Sequence, residues 1–191
     1  MRAIVFVGLA ALASIAACGS DDGVVYRTSN NVPYGMTPTI KERQEVAVRD
    51  YAGTAPKRGD VIAFWAPTMI GKVFLKRVIG LPGDTVGTDK VTGIISVNGT
   101  LLSEPYAAGP TGCTDTCRWT VPAAETEIRL KYQADQKPRQ HLSDYRQEEA
   151  ACRRTGCYFV LGDLRMNSAD SRTSGGWLVP GENILGWVKV D

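Results

Sequence analysis

The chain contains 191 residues, of which 43% are hydrophobic, and its 22 basic and 20 acidic residues leave a net charge of +2. This length is enough for one buried core with a small second lobe. The net charge argues neither for nor against a charged partner, but the sequence has no basic run or stripe of the kind that nucleic-acid binding needs. A single histidine, His141, argues against a Ser-His-Asp triad and against a histidine-based metal site, so neither a metal nor another cofactor is expected.

The N-terminus has the pattern of an export signal. Arg2 is followed by an uncharged apolar run over residues 3–17, which is short for a bilayer span but typical of a signal peptide. The run ends in Ala16-Ala17-Cys18, which is similar to a bacterial lipobox. Residues 1–17 are therefore predicted to be a lipoprotein-type signal peptide, with Cys18 as the lipidated N-terminus. The alternative is an ordinary signal peptide cleaved near Ala17, which would leave Cys18 unmodified.

This N-terminus also predicts the location of the protein. With a lipid on Cys18, the chain would be a membrane-anchored lipoprotein of the cell envelope that faces the periplasm or the exterior. Residues 18–32 are polar and are interpreted as a tether that passes into an edge strand.

Four further cysteines follow in the second half of the chain: Cys113, Cys117, Cys152 and Cys157. An even number of cysteines in an exported protein predicts two disulfides. Three pairings are possible, and the sequence does not choose between them. The two local pairings, Cys113 with Cys117 and Cys152 with Cys157, would each close a short loop. A zinc site with four thiolate ligands is the rival hypothesis, but its usual spacing is tighter and export disfavours free thiols.

Most of the remaining chain has the patterns of strands and turns. Residues 32–40 contain two prolines and a glycine, so they are predicted to form a fixed extended loop with Met36 and Ile40 tucked inward. Apolar or alternating segments predict strands at residues 45–48, 61–65, 73–79 and 183–190, and Asn98-Gly99 predicts a hairpin turn. The fold class is therefore mainly β.

The composition changes over residues 105–157, which are charged, rich in Ala and Gln, and contain the four cysteines. This stretch is interpreted as an inserted lobe, with one helix within residues 140–154. Residues 33–104 and 158–191 then form the β core.

Lys76 lies inside one of the predicted strands. With a period of two, it shares a face with Phe74 and Val78, while Arg77 takes the other face. Both faces are mainly apolar, so one of the two basic residues is predicted to be partly buried. Burial lowers the pKa of a lysine, and a value of about 7–8 would make Lys76 a usable general base. The alternative, which the strand alone favours, is a snorkelling lysine with its head in solvent.

A second polar cluster follows the apolar run at residues 158–161. The segment 162–172 contains two acids and two arginines: Asp163, Asp170, Arg165 and Arg172. Buried charges persist only when they are paired and hydrogen-bonded. We interpret the segment as an interlocked network, a kind of scaffold that positions a catalytic group.

Four segments, in order, resemble motifs of bacterial type I signal peptidases, the membrane-anchored Ser/Lys endopeptidases that trim exported preproteins. They are residues 36–40, 58–64, 76–84 and 162–172, and the resemblance covers about residues 33–102 and 158–190. It implies a β-rich core with an inserted lobe, and an exported preprotein or signal-sequence-like peptide as partner. It also implies that Lys76 is the general base and Ser168 the hydroxyl that orients it, with Asp163, Arg165, Asp170 and Arg172 as supporting residues.

One departure from the family concerns the nucleophile. The family motif is Ser-Met-x-Pro-Thr, and Gly35 stands where its serine should be. If the alignment is shifted by one residue, the nucleophilic serine is deleted. Tyr34 then stands where many family members have a second serine, whose side chain is an oxyanion donor. Related pilin-processing proteases place their serine two residues before a proline, which is Asn31 here. The nearest hydroxyls belong to Ser29, Thr37 and Thr39, and each is displaced along the chain from the expected position. An extended residue advances about 3.3 Å. A misplacement of a reacting group by about 1 Å can already cost on the order of a hundredfold in rate.

Two hypotheses follow for the function. The favoured one is a degenerate homologue that binds signal-sequence-like peptides by strand addition, as a lipid-anchored accessory protein. Loss of the nucleophile would remove the covalent step. The alternative is an active endopeptidase in which a displaced hydroxyl, Thr37, reacts with Lys76 as its general base.

Overall fold

The computed structural model describes residues 24–27, 35–67, 72–89, 91–112, 118–125, 145–172 and 178–190. Several predicted features lie outside these residues: the signal peptide 1–17, Cys18, most of the tether, Ser29, Asn31, Tyr34, Cys113, Cys117 and His141. The strands are β1 (Val24–Arg27), β2 (Glu45–Arg49), β3 (Val61–Trp65), β4 (Val73–Gly80), β5 (Thr85–Thr88), β6 (Ile95–Val97), β7 (Thr100–Leu101), β8 (Arg118–Thr120), β9 (Cys157–Leu161), β10 (Val179–Pro180) and β11 (Ile184–Val188). The helix of the described ranges is α1 (Tyr145–Thr155).

The strands form two antiparallel sheets, so the prediction of a mainly β fold is confirmed. The main sheet has the order β1-β2-β11-β3-β4-β9-β10, and the second sheet has the order β7-β6-β5-β8. The final strand, β11, inserts between β2 and β3, which brings the end of the chain into the middle of the sheet. No helix among the described residues is long and apolar enough to cross a membrane.

Both faces of the main sheet are covered, which explains the nearly continuous apolar sequences of β3 and β4. Ile62 and Phe64 of β3 pack into one hydrophobic cluster, and Val61 and Ala63 pack into another on the opposite face. Met36 and Ile40 are buried in this second cluster. The inward position predicted for these two side chains is therefore correct, although residues 35–39 form turns rather than an extended loop.

The second sheet packs against one face of β9 along its whole length. Its Val86, Ile95 and Val97 share a cluster with Phe159 and Leu161. Strand β8 belongs to the predicted insert, yet it pairs with β5 in this sheet. The segment of the insert that forms β8 is thus built into the second sheet. Strand β9 begins one residue before the predicted boundary of the core.

The insert also contains helix α1, inside the predicted range 140–154 except for its last residue. A disulfide between Cys152 and Cys157 joins the end of this helix to the start of β9. Two of the four thiols are therefore bonded to each other, so the hypothesis of a zinc site with four thiolates is wrong. Glu125, which follows β8, is joined to the end of α1. Its N–H donates to the carbonyl of Arg153 at 2.7 Å, and its carboxylate forms an ion pair with the Arg153 guanidinium.

Candidate active site

The site is organised around Lys76, near the middle of β4. Lys76 lies opposite Ile62 of β3, on the face of the sheet that also carries Phe74 and Val78. Only 4% of Lys76 is exposed. The snorkelling alternative is therefore wrong, and the neighbouring Arg77 is buried as well.

Burial lowers the pKa of Lys76 to about 8, while the carboxylates of Asp170 and Asp163 raise it and the Arg172 guanidinium lowers it further. The Lys76 ammonium lies 5.7 Å from the centroid of the Phe74 ring. It makes no hydrogen bond and no ion pair with another residue that the structure describes. Near pH 8, half of such an amine is neutral, which is the state that a general base requires.

Arg77 points to the opposite face and holds Asp163 with two hydrogen bonds. Its Nε donates to Oδ1 at 2.9 Å and its Nη2 to Oδ2 at 2.6 Å. The guanidinium also lies 3.9 Å from the ring centroid of Tyr106 and donates to the carbonyl of Gly59 at 2.8 Å. Arg77 was not singled out as a site residue from the sequence, because its partner is far away along the chain.

Thr39 belongs to the same buried cluster. Its hydroxyl donates to the carboxylate of Asp163 and accepts from Arg77 Nη2 at 3.4 Å. With its proton held by this carboxylate, Thr39 has a structural partner rather than the free hydroxyl that a displaced nucleophile needs.

The other acidic residue of the loop, Asp170, is paired with Arg172. The Nε and Nη2 atoms of Arg172 donate to the two carboxylate oxygens at 2.8 Å each. The Gly162 N–H donates to Asp170 Oδ2 at 3.1 Å. This pair therefore fixes the start of the loop at Gly162 to its end at Arg172.

Arg165 is 2% exposed, and two of its partners lie near the start of the insert, on either side of residue 105. It donates to Glu104 Oε1 at 2.7 Å, to the Thr111 hydroxyl at 2.7 Å and to the Gly162 carbonyl at 2.9 Å. The buried network thus exists, but the loop residues do not pair only among themselves. Asp163 takes Arg77 and Arg165 takes Glu104, two partners that sequence reasoning missed.

The loop returns along β9 through Ser171, a second residue that sequence reasoning missed. The Val160 N–H donates to the Ser171 hydroxyl at 2.9 Å, and the Ser171 N–H donates to the Val160 carbonyl at 3.1 Å. Ser171 therefore takes the place of a neighbouring strand at Val160 of β9, and it fixes the end of the loop next to this strand.

Gly162 connects the three residues that the family resemblance groups together. The register of β9 on β4 pairs Leu161 with Arg77, and one further step places Gly162 across from Lys76. A Cβ on Gly162 would lie 2.2 Å from Ser168 Oγ and 2.3 Å from the carbonyl oxygen of Gly35. Directly opposite residues of an antiparallel pair share one face, with Cβ atoms about 5 Å apart. The Ser168 hydroxyl and the Gly35 carbonyl therefore meet at Gly162, one residue beyond the last residue of β9 that pairs with β4.

Two features of this arrangement bear on the chemistry. The Ser168 hydroxyl oxygen is buried and has no hydrogen-bond partner among the described residues. Gly35 is held in place because its carbonyl accepts from the Leu164 N–H at 3.1 Å, but it contributes no side chain. Thr37 lies two residues further along the same turn and is half-buried.

Among the described residues, the backbone of β4 next to Lys76 has no strand partner on one side. The backbone groups of Val78 and Lys72 bond towards β3. Since these groups alternate in direction along a strand, those of Leu75 and Val73 point to the side of β9. The ladder with β9 stops at Arg77, and no described residue pairs with Leu75 or Val73 there. This open edge can accept an extended peptide as a further strand.

Lys76, which is buried in the β core, and Ser168 are the residues to which the family resemblance assigns the general base and the hydroxyl that orients it. The family model for signal peptidase, peptidase S26, matches residues 2–190. The chain therefore belongs to the signal peptidase family. The resemblance on which the sequence interpretation depended is confirmed.

Individual relatives agree with this assignment. Signal peptidase I of Pseudomonas aeruginosa is 32% identical over 161 residues, which cover 83% of this chain and 52% of the relative. Probable signal peptidase I-2 of Synechocystis sp. is 33% identical over 163 residues, which cover 81% and 57%. A solved signal peptidase I from Enterococcus faecalis is 30% identical, with a TM-score of 0.41, and the match covers 71% of this chain and 98% of that one. The chain spans about half the length of the curated relatives it matches.

Proposed function

We propose that this protein binds extended segments of exported preproteins at the open edge of β4 and does not cleave them through an acyl-enzyme. The observation that carries the proposal is Gly35. By resemblance to the family motif it stands where the nucleophilic serine is expected, and it has no hydroxyl that could attack a peptide bond.

Strand addition supports the binding half of the proposal. The unpaired backbone groups of Leu75 and Val73 offer main-chain hydrogen bonds to any extended peptide, whatever its sequence. Both side chains are half-buried and pack against a hydrophobic cluster, so the edge is held in position before the ligand arrives. Pre-organisation of this kind lowers the entropic cost of binding.

A lipid on Cys18 belongs to the same proposal, because it would keep the site at the membrane surface of the cell envelope, where preproteins emerge. Mass spectrometry of the protein from bacterial membranes tests this step. A lipid-sized mass that disappears on treatment with globomycin, and also in Cys18→Ala, is expected. An unmodified Cys18 would contradict the anchor but would leave the peptide-binding proposal standing.

The pKa of Lys76 supports a second candidate, an active endopeptidase that uses Thr37. A shift from 10.5 to about 8 costs the folded protein about 3 kcal/mol while the lysine is charged. A cost of this size is a reason to expect that the amine is used as a base.

A cleavage assay separates the two candidates. The purified chain, Lys76→Ala, Gly35→Ser and the exposed control Lys57→Ala would each be incubated with a preprotein that carries an Ala-x-Ala site. The proposal predicts that the unmodified chain binds the preprotein, measured by co-sedimentation with the lipid-anchored form, and leaves it intact.

The assay has three informative outcomes. Cleavage by the unmodified chain that is lost in Lys76→Ala but kept in Lys57→Ala would show that the protein is an active enzyme. Cleavage only by Gly35→Ser would exclude Thr37 as a nucleophile and support the proposal. Absence of binding in every sample would refute the peptide-binding function itself.

A further inference from the structure

The ion pairs around the loop at residues 162–172 leave one buried cation without a carboxylate of its own. Each arginine of this region has an acidic partner: Arg77 pairs with Asp163, Arg165 with Glu104, and Arg172 with Asp170. Lys76 is 4% exposed and forms no ion pair with another described residue. The charges of the three pairs cancel, so the charge of Lys76 is left over. Buried charges normally persist only when they are paired.

The acids closest to Lys76 in electrostatic terms do not supply this partner. Asp170 and Asp163 raise the pKa of the lysine, but both oxygens of each carboxylate already accept from an arginine. Burial is the larger influence, and it lowers the pKa of Lys76 to about 8. At pH 7 the amine is still mainly charged, and an anion at hydrogen-bond distance would stabilise this state.

The amine lies against the part of β4 that forms the open edge. It is 5.7 Å from the ring centroid of Phe74, which stands between Leu75 and Val73 on the strand. A peptide strand that pairs with this edge has one residue opposite Phe74. The side chain of that residue lies on the face of Phe74 and Lys76, because opposite residues of a strand pair share a face. It is also a diagonal neighbour of Lys76, and diagonal neighbours are within reach of long side chains.

We infer that the peptide bound at the open edge of β4 contributes a carboxylate that forms an ion pair with the Lys76 amine. The carboxylate belongs to an Asp or Glu opposite Phe74, or to a peptide C-terminus at the same place. The inference rests on the proposed function, since it names the ligand class of the same site. Hydrogen bonds between an ammonium and a carboxylate are roughly twice as strong as those between neutral groups. The left-over charge of Lys76 would then be part of an ion pair, like the charges of the three arginines.

A charge scan of a short peptide tests the inference. The host is an acetylated and amidated six-residue peptide of Ala, Val and Ser with a neutral fluorophore, and one residue at a time is replaced by Asp, Asn, Glu or Gln. A second host has a free C-terminal carboxylate instead of the amide. Dissociation constants are measured by fluorescence anisotropy with the full chain at pH 7. A carboxylate is expected to bind at least tenfold more tightly than the matching amide, because the amide has the same shape but no charge.

The scan also distinguishes the two sources of the carboxylate. A tenfold advantage of Asp or Glu at one internal position would identify a side chain opposite Phe74. A tenfold advantage of the free C-terminus over the amidated host would identify the terminal carboxylate.

The charge of Lys76 provides two further measurements. Lys76→Met should reduce the preference for a carboxylate to less than twofold, while the exposed control Lys57→Met should keep it. In the unmodified chain the preference should fall between pH 7 and pH 10, because the amine loses its proton while the carboxylate of the peptide keeps its charge. The same titration of Lys76→Met separates the lysine from Tyr51 and Tyr158, the tyrosines of the cluster on this face. Circular dichroism melts confirm that each variant is folded, and the pH dependence of the unmodified chain decides the question if Lys76→Met does not fold.

Each outcome of the scan has a definite meaning. Binding of every carboxylate peptide within twofold of its amide would overturn the inference, while the proposed peptide-binding function would stand. A preference that survives in Lys76→Met, or that is the same at pH 7 and pH 10, would also overturn it. Failure of both hosts and of every substituted peptide to bind would refute the inference and the proposed function together.

Discussion

Replacement of the buried lysine by a neutral side chain of similar size, Lys76→Met, is expected to stabilise the protein at neutral pH. The pKa of Lys76 falls from 10.5 to about 8 on folding, chiefly because burial removes the ammonium from water. Each unit of pKa corresponds to 1.36 kcal/mol, so the charged lysine costs about 3 kcal/mol of folding free energy below pH 8. Methionine removes this cost and keeps most of the volume.

The sign of the pH dependence follows from proton binding. Between pH 8 and 10.5 the unfolded chain holds the proton of this lysine and the folded chain has released it. Stability therefore rises with pH in this window, and the cost of Lys76 falls from about 3 kcal/mol at pH 7 to about 1 kcal/mol at pH 10. Any change in packing caused by methionine is the same at both pH values and cancels in the comparison.

Urea denaturation at pH 7 and pH 10 measures this difference. The free energy of unfolding of Lys76→Met should exceed that of the unmodified chain by about 2 kcal/mol more at pH 7 than at pH 10. The exposed control Lys57→Met should show no such dependence. An advantage of Lys76→Met that is equal at the two pH values would refute the argument that burial depresses this pKa.

Three further predictions concern the rest of the site. If Gly35→Ser restores cleavage, its kcat/KM should rise with pH through a midpoint near 8, since the neutral amine is the active base, and a flat pH–rate profile would contradict this role. Asp163→Asn leaves a buried guanidinium uncompensated and should lower the free energy of unfolding by about 3–5 kcal/mol in urea, whereas Glu125→Gln, at an exposed ion pair, should leave it nearly unchanged. Gly162→Ala forces a methyl group into the site, so it should lower the free energy of unfolding by about 1–3 kcal/mol and weaken peptide binding. Gly112→Ala, at a position with open space around it, should do neither, and equal thermal melts of the two variants would contradict the crowding at Gly162.

The features that the sequence predicted correctly depend on neighbouring residues. Alternation along β4 was sufficient to group Lys76 with Phe74 and Val78, and the apolar character of Met36 and Ile40 was sufficient to predict that both lie inward. These patterns extend over ten residues or fewer, so they can be interpreted without knowledge of the fold.

The features that it missed depend on strand order. Arg77 and Asp163 are 86 residues apart, and Arg165 and Glu104 are 61 apart. No local pattern links them, because each pair forms only when β9 has been placed beside β4. The burial of Lys76 could not be predicted for the same reason, because the sequence of the strand does not show which distant residues will cover its face. The assignment of β8 to the second sheet likewise depends on a distant partner, β5.

The contact between Glu125 and Arg153 has a practical consequence for protein engineering. A backbone hydrogen bond and an ion pair join these two residues, so the chain between them, residues 126–152, forms a closed loop that includes most of α1. The entropy of closing a loop grows slowly with its length, by about 0.6 kcal/mol for each doubling. An affinity tag or a fluorescent reporter inserted after Glu125 would therefore be joined to the protein at a residue that is already fixed to α1.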